Sequence, residues 1–560
     1  MGEPPLAPGI RVFHHLATLI TSGSWGPEEH RVSQPALYLK QNVAVEPLYN
    51  QWYAWWYLIA PATAPLYVAN HHVKIMESFV ANPAIHVAAL KNPALAGGPY
   101  LNYGVERAGE VKELLERTRK EQAASLQFAQ AVAELDKLLL PSNGASLEEL
   151  YKKVPDILQG YVELLYDLNN RASARFFEPL LYRSPHYKES SQSLSFRLLK
   201  GDARPYVFST PRLDSDKDTL QVHLPFRHEA IDQLYAMRRT PGSVDAIREA
   251  MGIGARDAEL FSTFFTDQAP RPAPRYDGDG VRVRYIGHAC VLIESRDVSI
   301  LTDPVISYDF PTDVPRYTHA DLPEKIDYVL ITHGHADHLM FEPLLQLRQR
   351  IGTIVVPASN GGGLADPSLK LMLKAVGFKN VVTLSELESI EVPGGSITGV
   401  PFIGEHADLN IQAKLAHLVQ LKGRSLLMAA DSNALEPRMY DHVHAAVGDI
   451  DVLFLGMESE GGPLSWMYGP LLPAPLPRKM DQSRRLNGSN ADRAIEIARR
   501  INPKQVHIYA MGREPWMGHV MAMGYHENSP QLIEARKMLA WCQEKGITAS
   551  LPYIQAELFF

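Results

Sequence analysis

The chain has 560 residues, which at roughly 150 residues per domain is about three or four domain equivalents. Hydrophobic residues at 46% and charged residues at 21% exclude collagen-like, disordered and polyelectrolyte classes. A net charge of −8, from 55 Lys+Arg against 63 Asp+Glu, argues against a surface devoted to nucleic acid or to an anionic membrane.

In chain order, Met1–Leu6 lacks the charged and apolar regions of a secretory signal, and Leu6 stands where a myristoylation signal wants Ser or Thr. The apolar run Trp52–Pro65 is too short to cross a bilayer and ends in Pro61 and Pro65, so it is core or interface. Val111, Leu114, Leu115, Phe128, Val132, Leu135 and Leu139 recur at helical spacing within Val105–Leu140. Ser146 with Glu149 forms a capping-box pattern and predicts a second helix to about Leu168. Strands are predicted near Leu194–Leu199 and Leu220–Leu224.

The Pro-rich run Asp267–Arg275 and the turn-rich Asp277–Gly280 divide the sequence. This predicts a mixed, largely helical α+β domain over 1–270, a linker over 271–280 and a second domain over 281–560. Downstream, short β-runs (Val281–Tyr285, Cys290–Glu294, Ser299–Thr302, Tyr328–Thr332, Thr353–Val356, Ser425–Met428, Val452–Leu455, Val506–Tyr509) alternate with helical patterns at Phe341–Arg348, Leu369–Val376, Ala491–Ile501 and Pro530–Glu544. That alternation predicts an α/β or layered αββα domain. Two cysteines, Cys290 and Cys542, cannot build a disulfide framework or a thiolate metal site within one chain, which fits a reducing cytoplasmic setting.

Histidine is the unusual component, with 21 residues. A hydrophobic run leads into His333-Gly-His-Ala-Asp-His338, placing three imidazoles and a carboxylate within one short loop. His333 and His335 alternate along extended chain while Asp337 and His338 lie on the following turn, so two adjacent metal ions can be served from it.

With Tyr285–Glu294 and Leu301-Thr-Asp-Pro304 preceding it, this motif resembles the metallo-β-lactamase superfamily, which implies an αββα sandwich with a dinuclear site at one sheet edge. The family order places a third ligand of the first metal in Gly404-Glu-His-Ala-Asp408, as Glu405 or His406, and a bridging carboxylate at Asp431. The last position, usually His, falls near Ala510–Arg513, where there is none. The set His333, His335, Asp337, His338, Glu405 and Asp431, together with Val45–Pro65 upstream, resembles the diiron β-hydroxylase family of chloramphenicol biosynthesis.

That resemblance implies one iron held by His333, His335 and Glu405, a second by Asp337 and His338, and Asp431 bridging. It further implies dioxygen as co-substrate, an aminoacyl substrate tethered to a carrier protein, and a homodimer formed through the N-terminal domain. No Gly-x-Gly-x-x-Gly fingerprint occurs, so the two electrons come from an external donor such as a separate reductase. Glu458 is a candidate catalytic or supporting carboxylate, and Asp303 and His288 are candidates for orienting ligand imidazoles. In the loop Gly461–Gly488, Trp466, Met467 and Tyr468 are expected at the substrate, and Arg478, Lys479, Arg484 and Arg485 at the acidic carrier. His71, His72, His442, His444, His519 and His526 are expected to be surface or structural. The alternative reading is a dinuclear zinc or manganese hydrolase, a lactonase or phosphodiesterase.

Overall fold

Two seven-stranded sheets pack face to face in the C-terminal half of the computed structural model, which describes residues 36–560. The first pairs Ser299–Thr302, Ile326–Leu330, Ile351–Pro357 and Val381–Leu384 in parallel, with Cys290–Glu294, Arg282–Gly287 and Ala556–Phe559 added antiparallel. The second runs antiparallel through Ser389–Val392, Gly395–Val400, Ala416–Leu421 and Arg424–Met428, then parallel through Val452–Gly456, Gln505–Tyr509 and Thr548–Ser550. Apolar side chains of both sheets, among them Val291, Ile300, Val419 and Phe454, fill the space between them. Strands buried on both faces are near-continuous in hydrophobicity, which is how Val452–Gly456 and Cys290–Glu294 read.

Helices cover the outer faces. Arg438–Val447, Ala491–Ile501 and Pro530–Glu544 cover the second sheet, and Phe341–Leu347 and Leu369–Ala375 the first. The sandwich expected from the β/α alternation is therefore present. The strand before the histidine loop ends at Leu330 rather than Thr332, because the Thr332 N–H leaves the ladder to bond Asp303 Oδ1 at 2.8 Å.

The N-terminal half holds a four-stranded antiparallel sheet built on Val43–Tyr49 and Gln192–Leu198, with the helices Ala108–Glu121 and Ala123–Leu139. The expected second helix does not form. Ser146 Oγ accepts from the Glu148 N–H at 3.3 Å, but only a 3₁₀ turn, Glu148–Lys153, follows. Pro155 and Gly160 interrupt it, and Val162–Tyr166 pairs as a strand with Ala172–Phe176. Trp52–Pro65 is core: every residue in Trp52–Ile59 is buried. The segment Asp267–Arg275 carries no regular structure beyond Thr266 and is held to the C-terminal half by Arg271 to Asp321 and Arg275 to Asp327.

One apolar cluster runs through both halves, from Val45 and Trp56 to Ile354 and Leu373. A buried ionic group accompanies it: Arg212 pairs with Glu46 through two bonds of 2.6 and 2.9 Å, and Arg204 bridges Glu46 to Glu342, where Tyr53 and Tyr308 also donate. Residues 36–560 thus form one compact unit. No helix among the described residues is long and apolar enough to cross a membrane. Met1–Leu6 lies outside the described residues.

Candidate metal centre

Loops at the ends of the parallel strands bring the expected side chains together. Asp303 follows Ser299–Thr302, the loop 333–338 follows Ile326–Leu330, Asp431 follows Arg424–Met428 and Glu458 follows Val452–Gly456. His333 Nε2 lies 3.1 Å from Glu405 Oε2 and 3.9 Å from Asp431 Oδ2. His338 Nε2 lies 3.0 Å from Asp431 Oδ2 and 3.8 Å from Asp337 Oδ2. His335 faces Glu405 Oε1 through Nδ1 at 2.8 Å, and its Nε2 meets the Tyr468 hydroxyl at 2.9 Å. Ligand-type atoms cluster as His333, His335 and His406, as His333, His338 and Asp431, and as His288, Asp337 and His338.

Close packing dictates two glycines. A Cβ on Gly334 would stand 2.6 Å from the Trp56 indole, so the histidine loop lies directly against the N-terminal half. A Cβ on Gly456 would stand 2.3 Å from Asp431 Oδ1, so the bridging candidate needs glycine on the neighbouring strand. His288, Asp303, Glu405 and Ala430 all have positive φ, a concentration of backbone strain typical of functional loops.

The arrangement fits metal ions. His333 Nε2, His338 Nε2, Glu405 Oε2 and Asp431 Oδ1 are buried without hydrogen-bond partners and lie near one another. Leaving such atoms unpaired is costly, and a cation would satisfy them together. Asp303 Oδ2 accepts from His338 Nδ1 at 2.8 Å while Thr332 donates to it at 2.6 Å, which leaves Nε2 of His338 free to ligate. Burial and the charge of Glu405 push Asp431 up to about 6. Burial lowers His335, but the Glu405 carboxylate reverses the direction and raises it. His333 is held well below its ordinary value by burial and by its neighbours His338 and His335. Carboxylates mixed with imidazoles suit iron and other hard or borderline ions.

Not every expected residue reaches the cluster. Glu458 lies on the wall of the adjoining cavity, where Gly461 N–H donates to one oxygen at 2.7 Å and the Gln531 amide to the other at 2.8 Å. Burial pushes it up to about 7. His288 bonds the carboxylate of Asp337 (Oδ2 at 3.1 Å) rather than an imidazole, and its Nδ1 accepts from the Gly512 N–H at 3.0 Å. His406 stacks on His335 with ring centres 4.6 Å apart.

A cavity of about 500 Å³ opens onto this centre, lined by His335, Asp337, Glu405 and Asp431 on one side. Trp52, Trp55, Tyr206 and Phe208 of the N-terminal half form the other side, and Trp466 and Met467 of the long loop border it. His71, His72 and His526 also line it, and His72 and His519 are buried rather than superficial. The histidine pair had no partner at ligand spacing, and only the stacking of His72 on Trp52 at 4.0 Å assigns it a place. Arg484 and Arg485 donate to the carbonyls of Ala407 and Glu460 and hold the loop, and Arg478 and Lys479 are exposed.

An αββα sandwich with His-x-His-x-Asp-His at a strand end defines a metallo-β-lactamase-fold metalloprotein. Residues 299–507 match the beta-lactamase superfamily domain, and residues 38–270 match the diiron non-heme beta-hydroxylase N-terminal domain. The chain is 39% identical over 533 residues to the 4-amino-L-phenylalanyl-[CmlP-peptidyl-carrier-protein] 3-hydroxylase of Streptomyces venezuelae, covering 93% of this chain and 99% of that protein. Its structure is similar to the crystal structure of CmlA, a diiron β-hydroxylase from Streptomyces venezuelae, with TM-score 0.88, 38% identity and coverage of 94% and 99%. A single-residue variant of CmlA gives TM-score 0.86 at 37% identity, with coverage of 94% and 100%. The chain belongs to the diiron β-hydroxylase family of the metallo-β-lactamase fold.

Proposed function

We propose that the protein hydroxylates the β-carbon of an aminoacyl group carried by a peptidyl carrier protein, and that His333, His335 and Glu405 would hold one iron and Asp337 and His338 a second, with Asp431 a ligand shared by the two. The observation that carries the reading is Glu405, whose carboxylate lies against both His333 and His335 where a hydrolase of this fold would more often place an imidazole. Iron held there would supply dioxygen activation, with electrons from an external two-electron donor.

The chain's own contribution is placement. Asp303 orients His338, and Tyr468 holds Nε2 of His335 so that Nδ1 faces the cluster. The aromatic wall excludes water from the reacting carbon, and Trp466 and Met467 border the same space. Arg478 and Lys479 offer positive charge to an acidic carrier surface.

The test combines metal analysis with turnover. Two irons per chain and a charge-transfer absorption are expected, and aminoacyl-loaded carrier protein given reductant and dioxygen gains one oxygen atom by mass spectrometry. Two zincs with a featureless visible spectrum, and no oxygen gained after iron loading, would overturn the reading.

A further inference from the structure

A second cavity, of about 180 Å³, lies where Tyr235–Thr240 of the N-terminal half meets the turn His319–Glu324 and the chain around Gln346–Arg350. It shares no lining residue with the cavity at the metal centre. Its wall carries Arg238, Arg239, Arg271 and Arg350 against a single carboxylate, Glu324.

Most donors of the inner three arginines go to backbone carbonyls. Arg238 bonds Lys40 O and Val43 O, Arg239 bonds Leu322 O, and Arg350 bonds Leu322 O and Glu324 O. Those bonds occupy nitrogen atoms, and none of the three forms an ion pair among the described residues, although Glu342, Glu324 and Asp321 act on them from beyond ion-pair distance. Arg271, at the exposed rim, is the one arginine here with acidic partners, Asp309 and Asp321. Nε of Arg238 and Nε of Arg239 are buried without acceptors. His319 is 4% exposed, and both of its ring nitrogens lack a partner.

A guanidinium withdrawn from water without a contacting carboxylate, as at buried Arg238 and half-buried Arg239 and Arg350, and a buried imidazole without a hydrogen bond are each unfavourable, and here they share one small space. Burial and the neighbouring Arg239 bring Arg350 down to about 9, and Glu324 offsets them only in part. One multiply charged oxyanion would accept from several of these groups at once, and guanidinium forks match such oxygens well.

We propose that this cavity is a binding site for a phosphate group, held by Arg238, Arg239, Arg350 and His319, with Arg271 at its mouth. The group can arrive as free phosphate or as a phosphomonoester whose substituent leaves past Arg271.

The test is calorimetric titration of the iron-loaded full chain with inorganic phosphate and, separately, with glycerol 3-phosphate, at constant ionic strength against chloride and acetate. Saturable phosphate binding is expected, weakened about tenfold or more in Arg239→Gln, because a charge-assisted bond is lost. His319→Gln leaves the arginine–carbonyl bonds in place and should weaken binding too, with iron content unchanged. Binding of inorganic phosphate alone identifies the free ion, and binding of both identifies a site that also takes esters; either supports the proposal. No saturable phosphate binding, equal binding of acetate, or full affinity in both variants would overturn it.

Discussion

The two walls of the metal-site cavity are built differently. One carries its polar side chains His335, Asp337, Glu405 and Asp431 on loops at strand ends, with His335 and Asp337 both from the contiguous run His333–His338. The other assembles Trp52, Trp55, Tyr206 and Phe208, drawn from two stretches about 150 residues apart that pack together within the N-terminal half. Chemistry at the first wall depends on local spacing, whereas shape at the second depends on tertiary packing. Gly334 joins them, since Trp56 occupies the space a side chain there would need.

If the walls have these separate roles, substitutions should separate metal binding from substrate binding. The largest effect is expected from Asp431→Ala, which removes the carboxylate next to His338 and His333. Loss of an outer partner of a ligand typically costs about 10- to 100-fold in metal affinity, so loss of a bridging ligand should exceed about 100-fold. Iron per chain after reconstitution measures it, and full iron in the variant would remove Asp431 from the ligand set. Trp466→Ala should act the other way, leaving iron content unchanged while raising KM for the carrier-tethered substrate about tenfold, as expected from roughly 1.4 kcal/mol of lost apolar contact. If iron fell in parallel with KM, the two walls would not be separable.

This contrast also explains what could be read from the chain alone. The sandwich was legible because strands such as Cys290–Glu294 and Val452–Gly456 are short, apolar and bounded by turns. Edge strands such as Ser389–Val392 and Ala556–Phe559 were not, being partly exposed and mixed in polarity. Ser146 and Glu149 misled because a capping pattern sets only how a helix begins, and Pro155 lies one turn beyond. The His333–His338 loop was legible as a metal motif because no core position needs three imidazoles. The aromatic wall, the Tyr468 hydroxyl on His335 and the arginines around His319 rest on contacts between distant segments that no local spacing encodes.

The smallest effect tests a residue belonging to neither wall. His507, on the strand Gln505–Tyr509, is buried beside Phe454, its Nδ1 paired with Ser550 Oγ at 2.7 Å and its Nε2 unpartnered. Burial lowers it to about 4, whereas an unfolded histidine titrates near about 6.5. Between those values the unfolded chain binds a proton that the folded chain does not, so stability must fall as pH falls from about 6.5 towards about 4, by up to about 1.4 kcal/mol per pH unit. Glu46 acts in a lower window: burial would raise its pKa, but Arg212 and Arg204 hold it well below the usual carboxylate range, so its contribution is lost only below about 4.3. Urea midpoints of the iron-loaded protein and of His507→Gln, compared from pH 7 to pH 5, cancel the contribution of the metal site, which both share. The variant should show the shallower loss with acid, by less than one proton's worth. Identical slopes would mean that His507 is protonated in the folded protein and that the second sheet admits water at that strand.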